Sequence, residues 1–174
     1  MKRFALVAAL LGVCVLALAG VATAGKVGLA KTWVHDNDNT PANTASATWT
    51  KDGLSLQKNA PTTAELAAGV QFKGLEGQTL TKLSFDVKNG TYCGAGAPRF
   101  NVDTDQGLLY FGCTYGVHTN LGNGWTRVVF DGTEPGGGAF GVIKGVDVVQ
   151  DEQGQTLLRN ITVNNIAVDK FPHS

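Results

Sequence analysis

Residues 91–115 read T-Y-C-G-A-G-A-P-R-F-N-V-D-T-D-Q-G-L-L-Y-F-G-C-T-Y, with one cysteine near each end. Between the cysteines, Phe100 and Val102 alternate with polar residues, which is the period-two pattern of a half-buried strand. Gln106-Gly107 is a turn signal, and an apolar run follows at 108–111. The stretch therefore predicts two antiparallel strands joined by a tight turn.

The two cysteines, Cys93 and Cys113, are predicted to form a disulfide. If Cys14 is removed with an N-terminal signal peptide, two of the three cysteines remain, and an even number in an exported domain is most simply explained by pairing. Closing a loop of this size stabilises a fold by about 3 kcal/mol in the chain-entropy model. A zinc site would need about four ligands, and His118 is the only histidine nearby.

The same alternation of apolar and polar residues recurs outside this stretch, for example at 83–88 and 161–164. Glycine-containing turn signals separate the alternating segments, and no long helical pattern connects them. We therefore predict an all-β fold, a two-sheet antiparallel β-sandwich that is jelly-roll-like and carries one disulfide. Three more apolar runs are expected to be buried on both faces or to lie at a twist: Leu108 to Phe111, Trp125 to Phe130 and Val146 to Val149.

The N-terminus predicts export. A basic start, Met1-Lys2-Arg3, precedes an uncharged apolar run and the small residues Ala22-Thr23-Ala24, which together match a signal peptide at 1–24. The mature chain, 25–174, is then a single β-sandwich domain located outside the cell or in the cell envelope. An uncleaved membrane anchor and a lipid-modified Cys14 are the alternatives.

The charge of the predicted mature chain argues against some partners. Removing Lys2 and Arg3 from 14 basic residues leaves 12 against 14 acidic residues, a net charge of −2. A nucleic-acid partner is not expected, because no segment is strongly basic. No membrane span is expected in the mature chain, because it has no second long apolar run.

Two segments resemble known proteins. The segment Leu157-Leu-Arg-Asn-Ile-Thr-Val-Asn-Asn-Ile-Ala-Val-Asp169 resembles the closing strand of jelly rolls of the carbohydrate-binding-module type, in which that strand returns beside the first. The cysteine-flanked segment with Ala97-Pro98-Arg99-Phe100-Asn101-Val102 resembles uncharacterised exported bacterial β-sandwich proteins. Neither segment carries a catalytic residue. The resemblance implies a fold and, by analogy, a polysaccharide or cell-surface glycan as partner.

A candidate ligand-binding site lies on the first predicted strand of the opening stretch. Arg99, Asn101 and Asp103 project to one side of that strand. Tyr110 lies on or near this face if the turn makes a hairpin, and in the alternative register it points into the core. Planar polar groups can fix sugar hydroxyls while an aromatic ring covers the apolar face of the sugar. The alternative is an ordinary solvated sheet face.

The three tryptophans, Trp33, Trp49 and Trp125, are further candidates for stacking on a sugar. A tryptophan in an alternating strand is more often part of the core. We expect Trp125 to be the best candidate for an exposed ring, because it follows Asn123-Gly124 at a loop edge.

A structural calcium ion is a candidate cofactor. Asp36 and Asp38 lie in an oxygen-rich loop, and calcium takes six to eight oxygen ligands. The EF-hand pattern is not completed, but a remote carboxylate such as Asp169 could complete a site if the last strand lies beside the first, as in jelly rolls. The alternative is a solvated loop favoured by the turn chemistry of Asn and Asp.

These features favour a non-catalytic binding or surface module over an enzyme. No G-x-S-x-G motif is present, and no pair of carboxylates stands out as the acids of a glycosidase. A glycan-cleaving enzyme on a jelly-roll scaffold is one alternative. A structural or protein-interaction domain of the cell envelope is the other, and it predicts an exposed apolar patch or an unpaired edge strand.

Overall fold

The structure, a computed structural model, describes residues 28–133 and 140–168. The predicted signal peptide and Asp169 lie outside the described residues. Within those residues the chain forms twelve strands and one short 3-10 turn, Cys113–Tyr115. In the same part of the chain, no helix has the length and apolar character needed to cross a membrane.

One sheet has five antiparallel strands, and we call it the five-stranded sheet. Its central strand is flanked by two strands on each side, so distant parts of the chain become neighbours. In spatial order the strands are β1 (Gly28–Asp36), β4 (Leu66–Lys73), β10 (Ile143–Gln150), β6 (Arg99–Thr104) and β7 (Gly107–Gly112).

The second sheet has seven strands, and β12 extends it beside the C-terminal end of β11. In spatial order its strands are β2 (Thr44–Thr50), β3 (Gly53–Asn59), β11 (Gly154–Val163), β5 (Leu83–Lys88), β9 (Trp125–Phe130) and β8 (Val117–Asn120), with β12 (Ile166–Ala167) paired to β11. The prediction of a two-sheet antiparallel sandwich is confirmed.

The core lies between the two sheets and is built by the inward residues of the alternating strands. Phe85 of one sheet packs against Phe100 of the other, with ring centroids 5.5 Å apart. Phe130 contacts both rings at 6.3 Å. Such tilted and edge-on contacts between aromatic rings add to the stabilisation that burial alone gives. The period-two pattern therefore correctly identifies the inward residues of β5 and β6.

The predicted disulfide between Cys93 and Cys113 is confirmed. It joins the loop before β6 to the 3-10 turn after β7. Two backbone hydrogen bonds reinforce the connection, from Cys113 N to Pro98 O and from Thr114 N to Gly94 O, and a third, from Gly94 N to Ala97 O, closes the loop on itself.

A charged side chain is buried at the end of β3. Lys58 is 1% exposed, and its Nζ donates to the backbone carbonyls of Thr62, Ala64 and Asp151 at 3.1, 2.7 and 2.8 Å. The three carbonyls belong to two different loops. One lysine therefore holds the β3–β4 loop against the β10–β11 loop.

Two expectations about the strands are wrong. The closing strand β11 lies inside the seven-stranded sheet between β3 and β5, whereas β1 belongs to the other sheet. Of the two alternatives for the run from Leu108 to Phe111, burial on both faces is wrong, since Leu108 is 51% and Tyr110 60% exposed. β7 is an edge strand of its sheet, so one of its faces stays open to solvent.

Candidate functional site

The outer face of the five-stranded sheet carries a continuous row of polar side chains with a tyrosine at one end. Register pairing places one residue from each strand directly opposite the next, and each is exposed or half-buried. Directly opposed residues share a face of the sheet. In the order of the strands, this polar row consists of Lys31, Gln71, Asp147, Asn101 and Tyr110.

Arg99 lies in the adjacent row and connects the polar row to the loops at the sheet's end. Its Nε donates to Asn101 Oδ1 at 2.7 Å, and one terminal nitrogen donates to Gly96 O at 2.7 Å. The same nitrogen forms an ion pair with Asp151. The guanidinium carbon lies 5.4 Å from the ring centroid of Tyr110, a cation–π contact. These partners fix Arg99 in one orientation.

Beside Arg99 the surface forms an open groove of about 370 Å³ between two exposed tyrosines. Tyr110 is 60% and Tyr115 56% exposed, which is unusual for large aromatic side chains. We call this feature the tyrosine groove. Its lining residues are Ala95, Gly96, Arg99, Tyr110, Gly112 and Tyr115.

The tyrosine groove depends on the disulfide-bonded loop, because residues 95 and 96 form one of its walls. Gly112 lets this loop approach β7 closely. A Cβ at Gly112 would lie 1.8 Å from the carbonyl oxygen of Ala95, so any larger residue would push the wall away. The sequence signal for this wall was the Cys93–Cys113 pair itself.

A second aromatic ring, Trp33 of β1, lies across the outer face of the sheet. Trp33 pairs with Gly69 of β4, and a Cβ on Gly69 would lie 2.4 Å from the indole ring. The indole Nε1 donates to Asp147 Oδ1 on β10 at 3.1 Å. The ring therefore rests on the glycine and reaches the polar row, and it remains half-buried rather than fully covered.

The environment of Asp147 alters its acidity. Burial raises the pKa of Asp147 above 3.8, and the hydrogen bond from Trp33 opposes this increase. A half-buried carboxyl group favours its neutral form because desolvation penalises the charge. Sequence reasoning did not select Asp147, since it lies in the run 146–149, which resembled a strand buried on both faces.

The structure brings together four of the five predicted ligand-binding residues. Asn101 pairs directly with Tyr110, and Asp103 pairs with Leu108 further along the same hairpin. Asp103 is exposed and lies on the outer face of β6 with Arg99 and Asn101. The turn at 105–106 sets this register, as the sequence analysis supposed.

Trp125, the fifth predicted residue, lies elsewhere. It is on β9 of the seven-stranded sheet and only 6% exposed. The Lys88 Nζ lies 5.2 Å from its ring centroid, and the guanidinium carbon of Arg159 lies 4.0 Å away. The prediction of an exposed ring at Trp125 is therefore wrong, because two long cationic side chains cover it.

The predicted calcium loop forms local hydrogen bonds. Asp38 N donates to Asp36 Oδ1 at 3.3 Å, and Asn43 donates to the carboxylate of Asp38. The hydrogen bond from Asn43 lowers the pKa of Asp38. Asp169, the third predicted ligand, lies outside the described residues, so the calcium site stays a prediction.

Residues 28–133 and 140–168 contain one group of three ligand-type side chains close enough to share a metal. It consists of Cys93, Cys113 and His118. The two sulfur atoms are bonded to each other and are not available as thiolate ligands. This group therefore gives no support for a metal centre.

Comparisons with models of known protein families, with characterised proteins and with solved structures give no match to this chain. Its function is therefore argued from the geometry of its own side chains.

Proposed function

We propose that this protein is an exported, non-catalytic carbohydrate-binding module whose site is the tyrosine groove and the adjoining polar row. The observation that carries the proposal is the register of β6 with β7. It places Tyr110 directly opposite Asn101, beside an arginine whose position is fixed by four contacts.

The chemistry of these groups suits a sugar. A pyranose has hydroxyl groups at its edge and apolar C–H groups on its faces, so it needs directed hydrogen bonds together with a flat ring. Tyr110 and Tyr115 offer exposed rings, and Asn101 offers an amide that can both donate and accept. Because Arg99 is already ordered, binding costs little side-chain entropy. The predicted signal peptide and the disulfide support the proposed location outside the cytosol.

Replacement of Tyr110 tests this proposal. We expect Tyr110→Ala to weaken binding to a retained polysaccharide by roughly 5- to 10-fold, since one stacked ring contributes about 1 kcal/mol. The measurement is affinity electrophoresis of the mature protein against a panel of immobilised plant, fungal and bacterial polysaccharides. Folding should be unaffected, because the Tyr110 side chain is exposed.

Val117→Ala provides the control for this experiment. Val117 is 48% exposed and lies on β8 of the other sheet, so its loss should leave retention unchanged. Equal retention of wild type and Tyr110→Ala on every polymer would contradict the assignment of the groove. If no polymer of the panel retains the wild type, the proposal that the ligand is a carbohydrate is contradicted.

A second candidate function, glycan cleavage, is favoured by two carboxyl groups on the same face. Asp147 pairs with Asn101, and Asp103 is two residues further along β6 and opposite Gly145. Such diagonal neighbours lie about 7 Å apart, a separation at which a glycosidase can use one acid and one base. The raised pKa of Asp147 suits a general acid.

Release of reducing ends from a retained polysaccharide distinguishes the two functions. If the protein is an enzyme, Asp103→Asn should abolish release while retention continues, and Asp52→Asn, in an exposed turn, should have no effect. If wild type releases no reducing ends from any retained polymer, glycan cleavage is contradicted and only the binding function remains.

A further inference from the structure

The outer face of the five-stranded sheet carries a second aromatic platform far from the tyrosine groove. Resting on the proposed function, we propose that Trp33 forms a second stacking subsite, and that one neutral, extended polysaccharide chain crosses the strands from Trp33 to Tyr110.

The distance between the two aromatic rings sets the length of the ligand. The Trp33 ring lies over Gly69 of β4, and Tyr110 is on β7, three strands away in the order β4, β10, β6, β7. Neighbouring strands are about 4.8 Å apart, so the strands β4 and β7 beneath the two rings are separated by about 14 Å. A disaccharide in the tyrosine groove would not reach Trp33, whereas a longer chain would.

The polar groups between the rings suit hydroxyl groups along the chain. Gln71, Asp147 and Asn101 lie in register between Lys31 and Tyr110. They alternate amide and carboxyl groups, which together donate and accept hydrogen bonds. Trp33 already donates to Asp147, so the carboxyl group is held in place before a ligand arrives.

The charges on this face favour a neutral ligand over a polyanion or a polycation. Lys31, Lys73 and Arg99 are basic residues on this face, and Arg99 is paired with Asp151. Asp103 and Asp147 are the acidic residues on the same face. Both signs are interspersed, so a ligand of a single charge would meet repulsion as well as attraction.

The experiment measures affinity as a function of ligand length. The probes are neutral gluco-, xylo- and manno-oligosaccharides from the disaccharide to the hexasaccharide, titrated by calorimetry into the mature wild-type protein and Trp33→Ala. We expect wild-type affinity to rise with length until the chain reaches both rings. Trp33→Ala should bind the disaccharide like wild type and the hexasaccharide about tenfold more weakly.

A matched pair of glycine variants repositions the ring without deleting it. Gly69→Ala adds a methyl group 2.4 Å from the indole and 2.7 Å from the Val148 carbonyl, and should displace the ring. Gly145→Ala adds the same group on the neighbouring strand with nothing within 4 Å. We expect Gly69→Ala to lose affinity for the hexasaccharide and Gly145→Ala to keep it.

Fluorescence quenching tests the subsite first in the wild-type protein, and two conservative variants then assign the signal. In wild type, the hexasaccharide should protect one tryptophan from iodide, and the disaccharide should not. Trp33→Phe should remove the protected component, whereas Trp49→Phe, on the other sheet, should retain it.

The outcomes separate this inference from the proposed function. If the wild type binds oligosaccharides but its affinity does not depend on length, or if Trp33→Ala loses no affinity for the hexasaccharide, the second subsite is wrong and the tyrosine groove stands. If Trp33→Ala loses affinity for every length equally, Trp33 belongs to a single short site and the spanning chain is wrong. If no oligosaccharide or polysaccharide binds the wild type, both proposals fail.

Discussion

Among single residues, Lys58 is one whose charged group is buried and connects two loops. An ammonium group that leaves water must recover its lost hydrogen bonds, and all three Lys58 protons are directed at backbone carbonyls. The Ala64 carbonyl also accepts from Leu66 N at 2.7 Å, and the lysine is the donor that all three carbonyls share. The lysine and the two loops therefore supply hydrogen-bond partners to each other.

Lys58→Met should destabilise the fold by about 3 kcal/mol, because it removes three charge-assisted hydrogen bonds that link two loops. Urea unfolding followed by circular dichroism measures the loss. Lys144→Met, at an exposed position on β10, is the control and should change the free energy of unfolding little. A similar small change for both variants would contradict the role given to Lys58.

Asp147 predicts a specific pH dependence of stability. Its pKa is raised in the folded state above the ordinary value of 3.8, so its stabilising contribution is fully present below that value and is lost as the pH rises through the raised pKa. Asp147→Asn removes this titration. The gain in the free energy of unfolding of the variant over wild type should therefore be larger near neutral pH than near pH 4.

Urea unfolding of both proteins at the two pH values measures this difference. Asp52→Asn, in an exposed turn, should show no such pH-dependent gain. A gain for Asp147→Asn that is larger at the acidic pH would show that the pKa of Asp147 is lowered instead.

At the scale of elements, the loop before β6 and the edge strand β7 act as one unit. The disulfide, the close approach at Gly112 and the hydrogen bonds of Gly94 and Cys113 all join them. The wall of the tyrosine groove is part of this unit. Groove shape and local stability should therefore change together.

Removal of the disulfide by Cys93→Ala/Cys113→Ala should lower the free energy of unfolding by about 3 kcal/mol, because it releases a 20-residue loop in the unfolded chain. Guanidinium unfolding measures the loss, and wild type in excess dithiol should approach the double variant. If the double variant is as stable as oxidised wild type, the disulfide does not stabilise this unit.

The elements also show which features the sequence could reveal. The hairpin β6–β7 is joined by a short turn, so the sequence indicates that Tyr110 can lie near this face, whereas its register opposite Asn101 is established by the structure. Trp33 and Asp147 meet only because β1, β4 and β10 are brought together from distant parts of the chain. No local pattern encodes such pairings. Trp125 was misjudged for the same reason, since Arg159 approaches it from a distant strand.

For the whole molecule, the two outer faces of the sandwich differ in the side chains that they leave accessible. The seven-stranded sheet covers Trp125 with cations and pairs Asp86 with Arg127, which neutralises charge on that side. The five-stranded sheet keeps aromatic and polar groups accessible in register. The alternation in the sequence predicts that each sheet has one face towards solvent. It does not show whether other side chains cover the aromatic residues on that face.

The enclosed amine of Lys58 has a practical consequence for chemical labelling. Acylating reagents that modify surface amines should spare this nitrogen in the native protein, since it is shielded from solvent. It should become reactive when the β3–β4 and β10–β11 loops separate. Mass-spectrometric mapping of labelled peptides would then report opening of the sandwich at one defined site, without any introduced probe.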